Sequence, residues 1–178
     1  MVIFKSPLRT TGVLPISILA LLVRNLGRSL KKSTMLIGEY RHTIDPKKRL
    51  SLPAKFRQEM GKKVVITRGL ENCLFVYPIK AWKEKVDKLL ELPMGQADSR
   101  GFSRFMLSGA VETEVDALGR ILVPDFLRDF GRLKGTVAVI GVGERAELWD
   151  EGAWDAYKGT IEKQADALAE KLGSVGAI

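Results

Sequence analysis

Two carboxylate–guanidinium pairs at a fixed spacing are the most chemically pointed feature of this sequence. Asp45-Pro-Lys-Lys-Arg49-Leu-Ser-Leu-Pro53-Ala-Lys-Phe-Arg57 returns as Asp116-Ala-Leu-Gly-Arg120-Ile-Leu-Val-Pro124-Asp-Phe-Leu-Arg128, with Asp, Arg, Pro and a second Arg at a constant offset of 71. An Asp at the head of a turn accepts hydrogen bonds from backbone N–H groups two residues on. An Arg four residues later presents a planar fork that either locks onto that carboxylate or reads guanine in a major groove. Both roles are open to Arg49, whereas for Arg120, with Ala117-Leu118-Gly119 before it and no flanking lysine, the structural role is favoured. Lys47 and Lys48 add phosphate-neutralising charge beside Arg49, and Arg41, Lys55 and Arg57 are candidates for backbone contacts that position without reading sequence.

A repeated carboxylate also raises the question of acid–base catalysis. The sequence gives that reading little support: it has no metal-ligand spacing and no nucleophile with a base nearby, and Gly141-Val-Gly143 is too short for a phosphate-cradling loop. A non-enzyme without metal or cofactor is expected. His42, the only histidine, falls in a strand and reads as structural, and Cys73, the only cysteine, reads as a core thiol of a protein from a reducing cytoplasm.

The elements that must position these residues repeat as well. Alternation through Tyr40, His42 and Ile44, and through Val111, Thr113 and Val115, predicts a half-buried strand before each turn. Gly119 supplies the left-handed residue that closes a three-residue loop; Lys48 takes the same place in the first copy, at a cost of about 1 kcal/mol. After the turn, Arg49–Leu52 and Arg120–Val123 return as strands, Pro53 and Pro124 open short helices, and Gly61 and Gly131 end them. Apolar strands follow at Val64–Thr67, Cys73–Tyr77, Val137–Gly141 and Ala146–Trp149. Each copy then closes with a longer amphipathic helix. One carries Ile79, Trp82, Val86, Leu89 and Leu90, the other Trp154, Tyr157, Ile161, Ala165, Leu168 and Leu172; both stripes read most simply as core faces, and the second runs far enough to serve a subunit interface instead. Residues 93–108 form a connecting helix, so the expected organisation is 35–92, 93–108 and 109–178.

Charge is distributed unevenly. The chain of 178 residues carries a formal +8, but residues 1–34 hold six basic and no acidic side chains, residues 35–92 hold 13 and 7, and residues 93–178 hold 10 and 14. Only the first copy suits a polyanion. Residues 1–34 contain an apolar run, Val13 to Val23, too short to span a bilayer and followed by no signal-cleavage pattern. An over-extended translation start is the favoured reading there, ahead of a disordered basic arm or a targeting segment.

The two Asp-x-x-x-Arg turns, the Pro-led helices and the stretch Met35-Leu-Ile-Gly-Glu-Tyr-Arg-His-Thr-Ile-Asp45 together resemble the MraZ family over residues 35 to about 160. The resemblance implies an α+β fold with a mainly β core, a double-split β-barrel of the swapped-hairpin class akin to AbrB-like DNA-binding domains. It also implies a cytoplasmic, nucleoid-associated repressor of the division and cell-wall gene cluster that binds short direct repeats of double-stranded DNA as a ring of about eight to twelve subunits. An AbrB-like antitoxin or oligomeric scaffold acting through protein contact is the alternative. One departure stands out: Lys47-Lys48 occupies a position where the family's first motif usually carries Lys-Gly.

Overall fold

A computed structural model describes residues 35–174, so the reading of residues 1–34 lies outside the described residues. The chain order is β1 (Leu36–Thr43), β2 (Arg49–Ser51), α1 (Ala54–Met60), β3 (Lys63–Arg68), β4 (Leu74–Pro78), α2 (Ile79–Leu90), α3 (Ala97–Ser108), β5 (Val111–Glu114), β6 (Arg120–Leu122), α4 (Asp125–Phe130), β7 (Thr136–Gly143), β8 (Arg145–Asp150) and α5 (Glu151–Ser174). With α3 set aside, the succession β-β-α-β-β-α occurs twice. The α+β class and the mainly β core are therefore present as the repeat implied.

Six strands form one antiparallel sheet in the order β1-β7-β8-β4-β3-β5. Exchanging each strand for its repeat counterpart reverses that order into itself. The first strand of each copy does not pair within its own copy: β1 lies against β7, and β5 lies against β3. A two-stranded ribbon, β2 with β6, crosses between the copies, and its central pair is Leu50 opposite Ile121. Those two residues are 71 apart, so the repeat's two-fold relation passes between them. Both are fully buried, because alternate residues of a strand face one side and this side is the core.

One hydrophobic core serves both copies. Leu50, Leu52 and Phe56 from the first copy meet Ile121, Val123 and Leu127 from the second, together with Leu74 and Leu148 of the sheet. Burying such side chains stabilises by about 1.5–3 kcal/mol each, and neither copy can do so without the other. A smaller cluster, with Phe75, Tyr77, Leu89, Met106 and Trp149, lies under α2 and α3. Thr67, buried in β3, donates its hydroxyl to the Met106 carbonyl at 2.6 Å and fixes α3 to the sheet.

The closing helices depart from expectation. The α2 stripe is a core face in part: Leu89 is buried and Trp82 packs on Tyr77, but Leu90 is 68% exposed; α5 has no buried residue at all. Tyr157 does stack on Trp149, and Trp154 lies tilted against it, but Leu168 and Leu172 face solvent. Geometry explains it. At about 1.5 Å per residue, a 24-residue helix outruns the six-residue strand it packs on. Helical periodicity shows that a stripe exists, not that anything covers it. Gly131 ends α4 as expected; it keeps a right-handed conformation, and the left-handed residue that follows is Arg132 (φ 52°). Among the described residues, no helix is long and apolar enough to cross a membrane.

Candidate nucleic-acid interface

Each Asp-x-x-x-Arg turn closes on itself through one carboxylate. Asp45 Oδ1 accepts the Arg49 backbone N–H at 2.9 Å, while Oδ2 accepts Nε at 2.8 Å and Nη2 at 2.7 Å. The same three distances recur between Asp116 and Arg120, with the Leu118 N–H added at 2.9 Å. Lys48 N–H to the Asp45 carbonyl and Gly119 N–H to the Asp116 carbonyl complete the loops, both at 2.8 Å. To reach that geometry Lys48 (φ 64°) and Gly119 (φ 75°) both turn left-handed, as the sequence required. Asp45 Oδ2 also lies 3.9 Å from Arg120 Nη1, which links the two turns.

Hydrogen bonds from the Arg120 side chain, then from its backbone, hold the Asp116 carboxyl near 2, against an ordinary 3.8. The Arg49 backbone N–H, then its side chain, holds Asp45 below the usual range as well. Both carboxyls are therefore lower in the folded than in the unfolded chain. The stability they contribute is present above the ordinary value and is lost below it, for Asp116 as pH falls from about 4 through about 2. Wild type is expected to lose melting temperature over that window, and Asp116→Asn to lose less of it; parallel melting curves for the two would count against the assignment.

The turns are braced across the copies. Val123 N–H donates to the Lys48 carbonyl at 3.0 Å, and Leu52 N–H to the Gly119 carbonyl at 2.8 Å. Pro53 and Pro124 stand at the N-caps of α1 and α4 and hand the chain from ribbon to helix. From α1, Arg57 donates Nε to the Leu52 carbonyl at 2.9 Å and lies directly on Gly119, where a Cβ would meet its guanidinium within 2.2–2.5 Å. Gly119 thus answers two demands at once, a left-handed turn and room for a cation. From α4, Asp125 accepts Lys48 Nζ at 2.6 Å and Arg128 Nη2 at 2.9 Å.

The expected cations do not all gather at one place. Lys47 and Lys55 are exposed, and among the described residues no carboxylate ion-pairs with either of them or with Arg57. Arg49, on the outward face of the ribbon, has Nε and Nη2 engaged by Asp45 and only Nη1 free of it. Arg41 belongs elsewhere. It is held in β1 by Glu39 at 2.7 Å, Asp155 at 2.7 Å and Glu151 at 3.2 Å, so its charge is already met inside the fold. Its place beside Lys47 in sequence hid those partners, which come from β1 itself and from α5, 110 or more residues later. Arg57 at the second turn and Asp125 at the first were also not anticipated, although Asp125 stands out against its repeat counterpart, Ala54.

A duplicated α+β chain with exchanged first strands and two Asp–Arg turns on a shared two-fold ribbon is the class that fold and site define. The family model described as "MraZ protein, putative antitoxin-like" matches twice, over residues 35–105 and 106–173. A transcriptional regulator MraZ of Moorella thermoacetica is 52% identical over 138 residues, covering 78% of this chain and 96% of that protein. Its namesake in Caldanaerobacter subterraneus subsp. tengcongensis is 48% identical with the same coverage, and that of Acetivibrio thermocellus is 44% identical over 142 residues, covering 80% and 99%. This chain belongs to the MraZ family. A solution structure from Pyrococcus horikoshii aligns with 65% of the chain and 95% of its own at a TM-score of 0.29 and 15% identity, from which nothing is carried over.

Proposed function

We propose that this protein is a sequence-specific transcriptional regulator that binds double-stranded DNA through the first Asp–Arg turn and the cations around it. The observation that carries the reading is the rigid presentation of exposed Lys47, with Lys48 and Arg49 beside it, on a turn closed by Asp45 and braced by the second copy. Lys47, Lys55 and Arg57 neutralise phosphates, and Arg49 supplies the contact that depends on base identity. The Asp45, Arg49, Asp116 and Arg120 network is itself neutral, so the lysines and Arg57 provide the attraction.

Few phosphate contacts per subunit make single-site binding weak. Assembly into a ring of about eight to twelve subunits on short direct repeats upstream of the division and cell-wall genes, acting as a repressor, gains avidity where spacing matches. The relatives' shared name, transcriptional regulator, supports this reading.

The test is fluorescence anisotropy of the full chain against duplex from its own upstream region over about 50–200 mM salt. Affinity is expected to fall steeply with salt; Arg49→Ala is expected to abolish specific binding and Arg120→Ala to weaken it less. Equal affinity for wild type and Arg49→Ala removes Arg49 from the interface, and absence of salt-dependent binding removes DNA. A second reading, an antitoxin or scaffold working by protein contact, is favoured by the uncovered stripe of α5. The duplex titration separates them, since a protein acting by protein contact shows no specific, salt-dependent binding; native mass spectrometry of the full chain tests the ring, with which a monomer at micromolar concentration is incompatible.

A further inference from the structure

The two turns are repeat equivalents, yet only one of them has a carboxylate set against its tip. Two departures from the repeat build that contact. Lys48 stands where the second copy has Gly119, and Asp125 stands where the first copy has Ala54. Their side chains meet at 2.6 Å, and Arg128 fixes the other carboxylate oxygen at 2.9 Å. At the equivalent place in the other half, Arg57 lies over Gly119 with no acidic partner among the described residues.

We infer that Asp125 is a built-in competitor of DNA phosphate for Lys48, a residue that limits affinity and so makes stable binding depend on several turns engaging together. The inference rests on the DNA-binding reading above. Lys48, held left-handed beside exposed Lys47 in the turn, is within reach of a phosphate docked on that turn, and here its charge is already met. Lys48 is 44% and Asp125 55% exposed, so the pair is wet and exchangeable rather than locked. A phosphate can take Lys48, but Asp125 is then left beside a second anion and must recruit a cation of its own. Little net counterion release comes from Lys48 in consequence, and one subunit gains little from that contact. Repeated boxes overcome the deficit through avidity, while isolated phosphates elsewhere on the chromosome do not.

The test uses the full chain and a random-sequence duplex, on which phosphate contacts alone are read. Asp125→Asn and Asp125→Ala, the latter restoring the residue of the first copy, are each titrated by anisotropy over about 50–200 mM salt, with circular dichroism confirming the fold. Both variants are expected to bind about two- to fivefold more tightly at low salt. The slope of log K against log salt is expected to steepen by about 0.9, one further phosphate neutralised. Adding Lys48→Ala to either variant should return both readouts to the wild-type level. A merely structural Asp125 would leave the salt slope unchanged. Wild type that binds with the same affinity and slope as both variants overturns this inference alone; no binding by wild type or variants at low salt, to this duplex and to the chain's own upstream duplex alike, overturns the DNA reading and this inference with it.

Discussion

Leu50→Ala is expected to lower the unfolding free energy by about 2–5 kcal/mol, a large share of the total for a domain of this size. Leu50 is fully buried, faces Ile121 across the two-fold ribbon and belongs to the core that both copies share. Truncation removes the transfer free energy of the side chain and leaves a cavity on the line where the copies meet. The ribbon has only three residues in each strand, so no longer ladder is available to hold the copies together there. Urea denaturation followed by tryptophan fluorescence measures the loss. A shift below about 1 kcal/mol would mean that the copies are held elsewhere. Unfolding should remain one transition, because neither half has a core of its own to fall back on.

A comparable loss, of about 3 kcal/mol or more, is expected for Gly141→Ala. A Cβ at Gly141 would stand 2.5 Å from Ile37 N and Leu36 C and 2.7 Å from Leu36 O. These are backbone atoms of the exchanged strand, so no side chain can swing aside and β1 itself must move away from β7. Hydrogen exchange should then show lost protection along β1, whose eight residues all register against β7. Gly61→Ala is the control. Unlike Gly141 it has a positive φ, 74° with ψ −157°, a region that only glycine enters readily, but its Cβ would meet nothing within 4 Å, so the backbone alone is penalised, at about 1–3 kcal/mol, and protection along β1 should be kept. Full protection along β1 retained in Gly141→Ala would show that β1 and β7 have slack that the close approach denies.

Much of this was legible in the residues because it is local. The Asp that heads each turn, the left-handed position shared by Lys48 and Gly119, and the prolines that open α1 and α4 all concern neighbours within a dozen residues, and the offset of 71 needs only one such stretch to be laid against the other. What escaped is non-local. Alternation through Tyr40 and His42 marks a strand, but nothing in it names β7 as the partner. Arg41 looks like one more cation beside Lys47 until Glu151 and Asp155 of α5 arrive to neutralise it. Gly119 reads as a turn residue, while the weight of Arg57 upon it depends on a helix from the other copy. The stripe of α5 is real as periodicity, and only the sheet's dimensions decide that its far end is bare.

The exchanged first strand also fixes when the molecule can become itself. Leu36 waits for Gly143 and Thr43 for Thr136, so one of the first strands to leave the ribosome has no partner until some hundred further residues have been made. During that interval the β3–β4 hairpin can form, but the edge of β4 that β8 will cover stays open. Closing contacts of such long sequence separation is slow, and an open strand edge invites pairing with another nascent chain. Synthesis rate and chain termination, not only the finished contacts, therefore bear on yield. A message truncated between the copies would release a half-molecule whose readiest partner is another half like itself.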